Sequence, residues 1–174
     1  MAQTSQSELS IGFYTVEQSD TLGWTGGYLV LNHGGRPLEF HCTLPVRPTR
    51  AHEILYGSTL RAHLIGERIG GILIKQARVQ PLLICSDQPE ALRLADHLDT
   101  PVALVGDPAG RLETHVPTIA AEHPKHALRI EARFATRVRQ SLEQMADLPD
   151  FDEPFTRIRE AIREAQQGAT ARAA

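Results

Sequence analysis

Apolar and polar positions along the chain alternate, run together or recur at helical spacing in a definite order. Leu9 to Val16, rich in aromatic and β-branched residues, reads as a strand, and Gly27 to Leu31 reads as a second after the polar loop Glu17 to Gly26. Asn32-His33-Gly34-Gly35 is turn chemistry. After it, Leu38, Phe40, Cys42 and Leu44 alternate with Glu39, His41 and Thr43, which predicts a strand from Pro37 to Leu44 burying Leu38, Phe40 and Cys42 on one face. Pro48-Thr49 then offers a stop and an N-cap, and Ile65, Ile69, Ile72 and Leu73 follow at helical spacing in a segment ending near Gln76. Gly57, Gly66, Gly70 and Gly71 each weaken a helix by about 1 kcal/mol relative to alanine. They either permit close packing on the sheet or break the segment near Gly57.

Pro81 to Cys85 is a continuous apolar run of the kind found in a central strand; Glu90 to Leu98 reads as a short amphipathic helix, and Pro101 to Val105 repeats the buried-strand pattern. Asp107-Pro108-Ala109-Gly110 marks a turn before a short returning strand at Leu112 to Val116. The next stretch fits two periods. Leu128, Ile130, Ala132 and Phe134 alternate like a strand, whereas Ile130, Phe134, Val138, Leu142 and Met145 fit a helix from Pro124 to Ala146, and length favours the helix. A final helix starts at Asp152 and Pro154, with Phe155, Ile158 and Ile162 as its apolar stripe.

These elements make one α+β domain over residues 9–167, a three-stranded antiparallel meander continued by parallel strands, with flanking and C-terminal helices and frayed tails at 1–8 and 168–174. Composition agrees: 174 residues with 41% hydrophobic and 22% charged positions suit a single globular core. Eighteen Lys plus Arg against twenty-one Asp plus Glu give a net charge of -3, so a nucleic-acid contact would need a local patch. The apolar runs are far shorter than the roughly 20 residues that span a bilayer, and the first residues lack a secretory pattern, so the expected location is cytoplasmic. Cys42 and Cys85 form no CxxC pair and are expected to be buried thiols.

The order strand, strand, strand, helix, strand, helix, strand resembles the ribonuclease H-like fold over about Leu9 to Val105. The resemblance implies phosphodiester hydrolysis by magnesium ions held on carboxylates of the first strand, the first helix and the end of the fourth strand. Glu53 matches the helical glutamate, and Asp87, after Ile84-Cys85-Ser86, matches the aspartate ending the fourth strand. The first strand departs from the pattern: Phe13-Tyr14-Thr15-Val16-Glu17 carries no aspartate, leaving Glu17 or Asp20 to stand in. Two metal ions about 4 Å apart require several carboxylates. Asp87 with Glu90 also reads as a capping box, and Glu53 as a favourable first-turn charge.

Other chemistry finds less support. His52, His63, His123 and His126 fall in no metal-ligand spacing; Cys42 and Cys85 lack a paired base, His41 pointing to the other sheet face from Cys42; no phosphate loop, dinucleotide fingerprint or nucleophile elbow occurs. Arg129, Arg133 and Arg137 would line one face of the expected helix as a basic stripe. The sequence thus leads to a binding or interaction domain with an incomplete acidic site. Its alternatives are a magnesium-dependent nuclease and a structural subunit that docks on a protein partner through its C-terminal helix.

Overall fold

The structure, a computed structural model, describes residues 9–106, 117–121, 127–145 and 150–173. The expected turn at 107–110, the strand at 112–116, the tail at 1–8, His123 and His126 lie outside them. The strands are β1 (Ser10–Ser19), β2 (Gly23–Asn32), β3 (Pro37–Cys42), β4 (Leu83–Ser86), β5 (Val102–Val105), β6 (Thr118–Ala121) and β7 (Leu128–Glu131). They form one seven-stranded sheet in the order β3-β2-β1-β4-β5-β7-β6. β1, β2 and β3 pair antiparallel, β1–β4 and β4–β5 pair parallel, and β7 pairs antiparallel with both β5 and β6. The α+β meander with parallel continuation is therefore present.

The first hairpin is longer than its apolar residues suggest. The segment expected as a loop at Glu17–Gly26 is mostly strand, because Glu17 pairs with Thr25 and Ser19 with Gly23, the turn closing on Gly23 at φ 99°. Trp24 continues outward by bridging Val46. Glu17 consequently has a fixed facing.

Consecutive glycines in β2 let helices approach both faces. A Cβ on Gly26 would lie 2.2 Å from Ile69 Cγ2, and one on Gly27 would lie 2.3 Å from Ile158 Cγ2. α1 (Arg50–Tyr56) leads through a 3-10 turn and α2 (Leu60–His63) into a π-helical stretch (Leu64–Ile69) and α3 (Gly70–Gln76), and Leu64, Ile65, Ile69 and Leu73 of this segment pack on the first face. Thr49 caps this segment, accepting from the His52 N–H at 3.2 Å, and Gly57 interrupts it at φ 51°. Gly66 packs not on the sheet but on the 3-10 helix Pro89–Asp96, where a Cβ would sit 2.5 Å from the Glu90 carbonyl. A π turn displaces backbone carbonyls from the regular ladder. The Tyr14 hydroxyl donates to the Ile65 carbonyl at 2.6 Å, and burial, then the nearby Glu90, pushes that phenol well up, so it stays a donor.

The opposite face is covered by α4 (Ala135–Gln144) and α5 (Glu153–Ala173). Phe155, Ile158 and Ile162 are buried against Phe13, Leu29 and Leu31, so the stripe docks on its own chain. α5 also continues through 168–173, expected to be frayed, as an exposed extension propagated from the docked half. Two expectations are corrected here. Leu128–Glu131 is a strand, since β6 and β5 both supply partners that make its alternation the better solution, and the helix begins only at Ala135. Arg129, Arg133 and Arg137 therefore form no stripe: they bond Thr118 Oγ1, the Ala95 carbonyl and the Asp99 carbonyl.

β3 is a third correction. Phe40 is 38% exposed and Cys42 is exposed, because α5 lies over β1 and β2 and leaves this edge uncovered. Cys85 alone is a buried thiol, with burial pushing its pKa up. Glu39 is instead the better-covered residue, accepting from the N–H of Arg78 at 3.0 Å and of Val79 at 2.9 Å and meeting His41 at 2.6 Å.

Burial raises the Glu39 carboxyl, but the bonds from Val79, His41 and Arg78 outweigh it and hold the pKa at about 2. A carboxyl lowered on folding contributes stability that is complete above its unfolded value of 4.5 and is lost as pH falls through about 2. Melting temperature should thus drop across that window, and Glu39→Gln should flatten part of the drop in a pH series followed by circular dichroism.

Candidate functional site at the ends of β1 and β4

Side chains alternate along β1, so Ile11, Phe13, Thr15 and Glu17 share the α5 face while Tyr14 and Val16 take the other. On β4, Cys85 packs on the α5 face. Asp87, two residues on, returns to it. The parallel register ends at Tyr14 opposite Ser86, which sets Thr15 beside Asp87 and leaves Glu17 one side-chain step beyond. Gln88 secures this junction: its Oε1 accepts from the Val16 N–H at 2.8 Å and its Nε2 donates to the Val16 carbonyl at 2.9 Å.

Two arginines of α5 reach this end. Arg159 forms an ion pair with Asp87 Oδ2 through Nη2, lies 3.8 Å from Glu17 Oε1 through Nε, and has Thr15 Oγ1 at 3.5 Å. Arg163 contacts Glu17 Oε1 at 3.1 Å. Glu17 and Asp87 therefore meet at one guanidinium. Asp87 Oδ1 is buried without a hydrogen-bond partner. A buried carboxylate oxygen left unpaired is costly, and a cation would relieve it.

Glu53 is placed elsewhere. It sits on α1, which has no buried residue, and its partner is Arg50 at 3.1 Å on its own helix; that helical segment covers the face opposite α5. Asp20 is exposed in the β1–β2 turn. Asp87 does not cap the following 3-10 helix, whose N-cap is Gln88 with no side-chain bond, while Glu90 pairs with Arg61 at 2.6 Å. His52 and His63 flank Tyr56, His63 stacking on it at 4.3 Å and meeting Glu67 at 3.0 Å.

Among the described residues no group of three or more His, Cys, Asp or Glu could hold a metal ion. The described residues by themselves assemble no two-ion centre. The orphaned Asp87 oxygen beside Glu17 fits part of the coordination of one divalent ion, with two carboxylates supplying oxygen ligands.

Arg159, Arg163, Thr15 and Gln88 were not singled out by sequence reasoning. Arg159 and Arg163 directly follow Ile158 and Ile162 of the buried stripe, so the phase of α5 contains the signal. It becomes readable only once the sheet beneath the stripe is known.

No protein-family model matches the sequence, and no curated protein matches it. Solved structures do. The catalytic domain of human endonuclease V superposes with a TM-score of 0.50 at 12% identity, covering 93% of this chain and 85% of that one. A second human endonuclease V structure gives 0.45 at 12% identity, covering 92% and 87%, and Ciona intestinalis endonuclease V, in complex with inosine-containing DNA, gives 0.35 at 10%, covering 77% of each chain. The first of these likenesses, with the strand order above, places the chain in the ribonuclease H-like fold.

Proposed function

We propose that this chain is a metal-dependent nuclease domain acting on phosphodiester bonds at the ends of β1 and β4. The observation that carries the reading is the meeting of Glu17 and Asp87 at Arg159. The fold likeness to an endonuclease V catalytic domain supports it in kind. Glu17 and Asp87 would hold one divalent ion, which when bound neutralises phosphate charge and activates water. Arg159 and Arg163, released from their carboxylates, would then face the phosphate, where a guanidinium makes paired hydrogen bonds to two oxygens.

A second reading has its own observation. Arg159 already neutralises both carboxylates, so the chain would be a binding domain on a nuclease scaffold without metal chemistry. The third, docking through the apolar stripe of the C-terminal helix, loses its surface, since Phe155, Ile158 and Ile162 are buried in the chain itself.

Calorimetry with magnesium and manganese, run beside cleavage of single- and double-stranded DNA and RNA oligonucleotides, separates the first two. The nuclease reading expects millimolar uptake that Asp87→Asn and Glu17→Gln abolish, that Arg159→Gln tightens, and that Glu53→Gln leaves alone. Absence of both uptake and cleavage in the wild-type chain rejects it and leaves the binding domain.

A further inference from the structure

Tyr14 and Tyr28 stand opposite each other in the β1–β2 register, and both phenols are buried on the face of the sheet away from α5. Tyr14 gives its hydroxyl to the Ile65 carbonyl. The Tyr28 hydroxyl is buried without a hydrogen-bond partner. Burial, then the nearby Glu39 and Cys85, pushes its pKa up, so it stays an uncharged O–H donor. Such a donor is costly to bury unless something accepts its hydrogen bond.

The ring reaches across β1. A Cβ on Gly12 would lie 2.6 Å from the Tyr28 hydroxyl, so the glycine makes room for it, and Gly12 stands beside Ile84 of β4. Tyr28 and Ile84 form the sheet side of a cavity of about 270 Å³, walled by Ile74, Ala77, Val79 and Leu98. Glu39 braces one wall by accepting the Val79 N–H at 2.9 Å. Lys75 and Asp99, both exposed, stand at the mouth with opposite charges.

We propose that this cavity is a binding site for a small uncharged molecule with an apolar ring and a carbonyl oxygen, the oxygen accepting from the Tyr28 hydroxyl. A cavity of about 150 Å³ admits benzene and pockets for drug-sized ligands begin near roughly 300 Å³, so the volume here suits a single substituted ring. The walls are apolar and match a ring. Glu39, whose charge helps to raise Tyr28, disfavours an anion against the same hydroxyl, and the mixed charges at the mouth select neither sign. The cavity lies before β4 on the face away from α5, whereas Asp87 follows β4 on the α5 face. Its failure would therefore leave the nuclease reading untouched.

Amide NMR titrations of the full chain with acetophenone test this. The controls are α-methylstyrene, in which a methylene group replaces the oxygen, and benzoate, which adds a charge. Acetophenone at millimolar concentration should shift the Val79, Leu98 and Thr100 signals saturably, and benzoate should not. Tyr28→Phe should weaken acetophenone by about fivefold or more and leave α-methylstyrene no weaker. Losing an unpaired hydroxyl should not lower the melting temperature. Ala77→Phe fills the cavity from its wall and should abolish acetophenone binding with the hydroxyl still in place. A wild-type chain without saturable shifts, as when water alone satisfies the hydroxyl, overturns the proposal. Acetophenone binding that neither substitution weakens overturns it too.

Discussion

Ile158→Asp is expected to unfold the chain or bring it close to unfolding. Ile158 is fully buried at the middle of the α5 stripe, against the Gly27 backbone of β2 and within the cluster that includes Phe13, Leu29 and Phe155. Removing the side chain forfeits about 1.5–3 kcal/mol of apolar burial. The aspartate must then either ionise in apolar surroundings or take up a proton, at a further cost of several kcal/mol. Against a total stability of about 5–15 kcal/mol, that sum removes most of the fold. Thr156→Asp, exposed on the same helix, should change stability by no more than about 0.5 kcal/mol. Urea denaturation of the two variants side by side checks the contrast, and comparable midpoints would mean that α5 does not hold the domain together.

The second large effect should come from the glycine pair in β2. Neither Gly26 nor Gly27 has positive φ, so space and not backbone conformation requires them. Alanine at Gly27 would bring its Cβ within 2.3 Å of Ile158 Cγ2 and 3.1 Å of Ile162 Cδ1. At Gly26 the neighbours are Ile69 Cγ2 at 2.2 Å and Leu73 Cδ1 at 2.9 Å. Each clash falls on a β-branched isoleucine with little rotamer freedom, and overpacking of this kind costs about 1–3 kcal/mol. The gain from restricting an unfolded glycine, about 0.4–1 kcal/mol, offsets only part of it. Because the residues face opposite layers, Gly26→Ala plus Gly27→Ala should be close to additive. Gly27→Ala with Ile158→Ala, in contrast, should cost clearly less than the sum of the two single changes. Additivity in that second pair would show that the Gly27–Ile158 contact is not what limits the packing.

Much of the architecture is determined by sequence alone. The order of the first five strands, the Thr49 cap, the break at Gly57 and the α5 stripe all follow from short-range chemistry: side-chain period, capping hydrogen bonds and glycine dihedrals act over a few residues and leave a local pattern. Residues 128–131 satisfied two periods, and there local pattern ran out, because the choice belongs to β5 and β6, which provide the partners. Phe40 alternates correctly yet is exposed, since what covers a strand face is a helix from far along the chain, and α5 stops short of β3. The candidate site divides the same way. Asp87 is visible as the acidic residue ending an apolar run, but its neighbour Glu17 opens a polar stretch that reads as a loop, and nothing in the local pattern of the final helix singles out Arg159. Parallel pairing of β1 with β4 and the docking angle of α5 bring these residues, spread along most of the chain, onto one guanidinium, and only tertiary structure decides such a meeting.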